Sequence, residues 1–86
     1  MNIELTDGFL LTADATNYEL HHGSITYYYR NITDALDRYL ELVRKDRTQK
    51  YDGNIDKYVE EIKKVNMETT KRFEELIGSG VINGKE

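Results

Sequence analysis

The chain has no cysteine. That excludes disulfides, thiolate metal sites and thiol nucleophiles, and nothing in it calls for an oxidising compartment. It has no proline, so turns fall to Gly, Asp and Asn. It has no tryptophan and two phenylalanines against seven tyrosines, so Tyr must supply much of the core. Tyr suits that task because its ring can be buried while its hydroxyl stays wet. No apolar run approaches the eighteen or so residues of a membrane span. The start, Met1-Asn2-Ile3-Glu4, has no basic segment leading an apolar one. The expectation is a soluble, cytoplasmic protein that uses no membrane. Only two serines occur, Ser24 and Ser79, both beside glycine and neither in a nucleophile-elbow context.

What remains is 86 residues, 38% apolar and 33% charged, with a formal charge of −4. That length is one domain with a thin core and a small net stability. The negative charge argues against direct nucleic-acid binding, which usually needs a basic patch.

The organising stretch is Tyr27-Tyr28-Tyr29-Arg30-Asn31-Ile32-Thr33-Asp34-Ala35-Leu36, where strand alternation gives way to a helical period. Asn31 is a good N-cap, and Asp34 three residues on can reach back to it. The same residues spell Asn31-Ile32-Thr33, a glycosylation sequon, but no secretory context supports that reading. Ile32, Leu36, Tyr39, Leu40 and Val43 then mark one face of a first helix ending near Asp46. Ala35 and Leu42 widen the stripe.

Before the switch, Asp7-Gly8 between two alternating runs predicts a type I′ hairpin turn. Tyr18–His22 and Ile25–Tyr29 read as two more strands. Ile25, Tyr27 and Tyr29 share one face, expected to point at the helices, and Thr26, Tyr28 and Arg30 the other. After the switch, Asn54 can cap a second helix from Ile55 to Ile77, with Gly78 as its left-handed terminator. The predicted fold is α+β, a three- to four-stranded antiparallel meander followed by two helices packed on one face (ββββαα). The sheet occupies residues 1–30, a two-helix hairpin 31–77 and a flexible tail 78–86, whose end is either a tail or a short added strand.

Candidate sites are few. His21-His22 lie on opposite faces of a strand and cannot easily share a metal. Asp52-Gly53-Asn54-Ile55-Asp56 suggests a calcium loop, but Lys57 and Lys63 stand where Gly and Glu are needed. No metal and no cofactor is expected, and no enzyme. Asp34, Asp37 and Glu41 form an acidic line on helix 1. It reads first as a solvated face paired at i,i+4, Asp34 with Arg38 and Glu41 with Lys45, as Glu60 pairs with Lys64 and Glu68 with Arg72. With Tyr28, Tyr51 and Tyr58, exposed rings near charge, these acids are the candidate partner-binding residues. On helix 2, Ile55, Val59, Ile62, Asn66, Thr69, Phe73 and Leu76 fit a heptad-like seam. Either Asn66, Thr69, Phe73 and Leu76 form a homodimer or partner interface, or these groups belong to the monomer's own core.

The pattern of hairpin, aromatic strand Ile25-Thr26-Tyr27-Tyr28-Tyr29, capped Asp34-Ala35-Leu36 and second charged helix resembles small bacteriophage and prophage proteins of the anti-CRISPR or anti-defence type. The resemblance covers the whole chain in pattern and carries no specific motif or functional residue. It implies a non-catalytic inhibitor in the host bacterial cytoplasm that binds and occludes a host protein, such as a CRISPR effector or another defence nuclease. The acids here are interleaved with Lys and Arg, which weakens a DNA-mimic mechanism. Two other readings stand beside it. One is a sponge or sensor for a small anionic ligand such as a nucleotide, held by the free amides near Asn31 and Asn54. The other is a small structural or assembly subunit of a phage or mobile element.

Overall fold

The computed structural model describes residues 1–80. Four strands, β1 (Asn2–Glu4), β2 (Phe9–Ala13), β3 (Tyr18–His22) and β4 (Ile25–Tyr29), form one antiparallel sheet in the order β1-β2-β3-β4. Helix α1 (Ile32–Thr48) follows, then a short 3-10 turn (Gln49–Tyr51) and helix α2 (Ile55–Ser79). This is the expected ββββαα arrangement.

The first hairpin turns where Asp7-Gly8 predicts, with φ of +59° and +79°. It is not a simple two-residue turn. The Leu5 amide donates to the Phe9 carbonyl, while the Phe9 amide donates to the Thr6 carbonyl. Leu5 and Thr6 thus both stand opposite Phe9, a bulge that lets Leu5 and Phe9 both be buried. It also aims Thr6 at α1. The buried Tyr39 hydroxyl accepts from the Thr6 amide at 3.2 Å and hydrogen-bonds the Thr6 hydroxyl. Burial pushes the Tyr39 phenol pKa up, opposed by those two bonds.

The core is Ile3, Leu5, Phe9, Leu11 and Leu20 from the sheet, Ala35, Tyr39 and Val43 from α1, and Val65 and Leu76 from α2. The register places Ile3 beside Leu11, Leu11 beside Leu20, and Leu20 beside Tyr27, a row across the inner face. Tyr39 stands at its centre, edge-on to Phe9 and Phe73. Tyr27 and Tyr29 pack half-buried on this face as expected, but Ile25, beside the Gly23-Ser24 turn at the open edge of the sheet, is exposed.

Asn31 and Asn54 cap the helices as predicted, accepting from the amides of Asp34 and Lys57. Helix α2 runs past Gly78, which stays helical. Gly80 takes the left-handed conformation at φ +81°, and its amide donates to the Ile77 carbonyl. Gly78 and Ser79, expected in the flexible tail, are the last residues of α2 instead. The tail or added strand expected at residues 81–86 lies outside the described residues.

None of the expected i,i+4 ion pairs forms among the described residues, and four of their members pair elsewhere. Arg38 pairs with Glu41 and Arg72 with Glu75, both at i,i+3. Glu68 turns instead to Arg47, which also holds Asp7 at 3.2 Å and Glu61 at 3.0 Å. One guanidinium thus ties the first hairpin, α1 and α2 together. Glu68 foremost, then Glu61 and Asp7, hold its pKa still further above the ordinary arginine range, against partial burial.

Candidate protein-binding surface

The two helices are unequal, about 25 Å against about 37 Å at 1.5 Å per residue. A long helix beside a shorter one must leave some of its apolar stripe uncovered. The C-terminal half of α2 is the covered part. Val65, Thr69 and Leu76 are buried in the chain's own core, and Phe73 packs against Tyr39. The Thr69 hydroxyl is satisfied by the Val65 carbonyl at 2.9 Å. Asn66 accepts two hydrogen bonds from Arg44. Of the seam considered for self-association, Thr69 and Leu76 are buried in the monomer's own core and Phe73 is partly buried there, while Asn66 stays exposed.

The uncovered part is the other end. Residues 52–60 are exposed throughout, and Ile55 is 73% exposed. Ile55, Tyr58 and Val59 continue the buried stripe beyond the end of α1. Ile55 and Tyr58, together with Tyr51 and Thr48, line an open groove of about 670 Å³ where α1 hands over to α2. Lys45 and Asp52 also line it, one cation and one anion.

The candidate partner residues thus fall on three surfaces. Tyr51 and Tyr58 are brought together in the groove. Asp34, Asp37 and Glu41 are exposed along α1, with Glu41 bound by Arg38. Tyr28, 65% exposed, stands on the outer face of the sheet, which no helix among the described residues covers. Ile55 completes the groove's apolar lining, and Val59, next in sequence to Tyr58, is exposed on the same stripe. Both are legible as stripe residues, but nothing in the sequence shows which end of the stripe is bare.

The histidines separate as their positions require. His22 stacks on Phe9 at 4.0 Å between ring centroids. His21 lies on the outer face, its Nε2 3.0 Å from the Thr12 hydroxyl and its Nδ1 3.1 Å from that of Thr26. Among the described residues no three metal-binding side chains cluster, and no helix is long and apolar enough to cross a membrane.

No family model matches the chain, and neither a curated protein nor a solved structure matches it.

Proposed function

We propose that the chain is a non-catalytic protein-binding module whose contact surface is the groove between the end of α1 and the start of α2. The observation that carries this is the bare apolar stripe, Ile55, Tyr58 and Val59, set beside Tyr51 on ordered helix and turn. Pre-ordered aromatic groups in a concave site bind at low entropic cost. The lining charges cancel, so apolar contact supplies the affinity, and the occupant is a leucine or aromatic side chain of a partner protein. The narrower proposal is that this partner is a host defence protein, such as a CRISPR effector, occluded in the manner of phage anti-defence proteins. Its support is the pattern resemblance together with the small acidic build.

The test is phage plating on bacterial strains that each carry one defined defence system. Expression of the chain restores plating on at least one strain, and Ile55→Asp abolishes the effect while the far-ultraviolet spectrum is unchanged. Restored plating that survives Ile55→Asp and Tyr58→Asp moves the contact off the groove. No restoration on any strain defeats the anti-defence reading.

A further inference from the structure

The outer edge of β4 is the least guarded part of the sheet. Exposed edges are usually blunted by Pro, Lys, a bulge, shortness or a covering element. β1, the other edge, has two of these: it is three residues long, and Arg72 Nε donates to its Glu4 carbonyl at 2.8 Å. β4 is five residues, Ile-Thr-Tyr-Tyr-Tyr, with no charge or bulge, and no described residue pairs with its outer side.

From this we infer that β4 pairs antiparallel with β4 of a second copy, making one eight-stranded sheet around a two-fold axis at Tyr27. The inference is independent of the groove and its partner.

The strand is complementary to itself in that register. Tyr27 meets Tyr27, Ile25 meets Tyr29, and Thr26 meets Tyr28, so each β-branched residue faces an aromatic one. Ile25 and Tyr28, bare in the monomer, become covered from the side. Arg30 falls opposite Ser24, so no like charges oppose.

The helix above agrees with the strand. Helix α1 runs antiparallel to β4 across its inner face: Arg38 lies over the Tyr27 ring at 5.6 Å, and Leu42 and Lys45 share a hollow with Tyr27 and His22. The helix therefore passes the height of Tyr27 between Arg38 and Leu42. A two-fold axis there, between Tyr39 and Leu40, sets α1 against its own copy with Asp34 opposite Lys45 and Arg38 opposite Glu41. Opposite charges face one another at all four positions. At 100° per residue, those four lie on the flank of α1 turned away from α2 and toward the β4 edge. The spacing also closes. Strands stand about 4.8 Å apart, and α1 lies over both β3 and β4. The two copies of α1 then sit about 10 Å apart, at the outer limit of ordinary helix packing.

The experiment is sedimentation equilibrium of the full chain up to about 200 µM at low salt, a range that still reports interfaces at the small end of the specific class. The parent sediments as a dimer. Asp34→Lys sets the introduced lysine of each copy against Lys45 of the other, and Lys45→Asp sets acids against Asp34, so each variant alone dissociates at least tenfold more readily. Mixed one to one, the two variants restore the dimer, because every facing pair is then of opposite sign. Amide exchange in β4 slows as the parent concentration rises, while α2 is unaffected. A parent that stays monomeric across the range overturns the inference. So does a dimer that both variants leave intact, or one that the mixture fails to restore.

Discussion

Replacing Arg47 by Met tests how much of the fold hangs on one cation. The methionine keeps the aliphatic packing and removes three ion pairs at once. Two of the partners, Asp7 and Glu61, have side chains only 17% and 13% exposed, so their pairs stand at the top of the surface range and contribute about 1 kcal/mol each. Glu68 is 45% exposed and contributes a few tenths of a kcal/mol. Three carboxylates then face one another with no cation between them, which adds to the loss. The expected destabilisation is about 2–3 kcal/mol, or a fall in Tm of about 10–20 °C for a domain of this size. Circular dichroism melts at low and at about 1 M salt separate the parts, since the repulsion left in the variant is screened at high salt. The gap between variant and parent narrows there, and adding Glu61→Gln to Arg47→Met recovers part of it at low salt. A variant melting within about 2 °C of the parent at low salt would show that the Arg47 cluster holds nothing together.

Tyr39→Phe removes the hydroxyl that meets Thr6 and lowers stability by about 1 kcal/mol by urea denaturation. Because burial raises the Tyr39 phenol pKa, its contribution is whole below the unfolded value near 10 and is lost as pH rises beyond it. Alkaline unfolding is therefore less steep in Tyr39→Phe than in the parent. Leu20→Ala, at a fully buried site, costs about 2–5 kcal/mol, whereas Leu36→Ala, only half-buried, costs about 1–2 kcal/mol in the same assay. Gly80→Ala forces a side chain into φ +81° and destabilises by about 1 kcal/mol, while Gly78→Ala, in open space within the helix, stabilises by a similar amount.

Local chemistry was legible wherever a few adjacent residues decide the outcome. Asp7-Gly8 fixed the first turn, Asn31 and Asn54 fixed both helix starts, and the inward placing of Tyr27 and Tyr29 followed from alternation. The bulge at Thr6 was hidden, because it comes from the need to bury both Leu5 and Phe9 on opposing strands. Gly78 misled for a related reason: buried Leu76 holds the last turns in the core, and tertiary contact outweighs the glycine penalty. Arg47 had no signal at all. Its partners lie forty residues upstream and fourteen and twenty-one downstream, so only the folded chain brings them together. The groove was half legible: Tyr51 and Tyr58 were singled out as exposed rings, but their proximity depends on the 3-10 turn between the helices.

The unlike edges of the sheet also decide whether association stops. A strand edge that accepts β1 of one molecule on β4 of the next repeats without limit and grows a fibre, whereas β4 on β4 uses both copies of the same edge and closes. The bond from Arg72 to the Glu4 carbonyl occupies part of the short β1 edge and so weighs against the repeating mode. Given the β4 pairing inferred above, a guanidinium on α2, 68 residues from the strand it guards, would act as a stop on polymerisation. Loss of that arginine would turn a particle of fixed mass into one whose size grows with concentration.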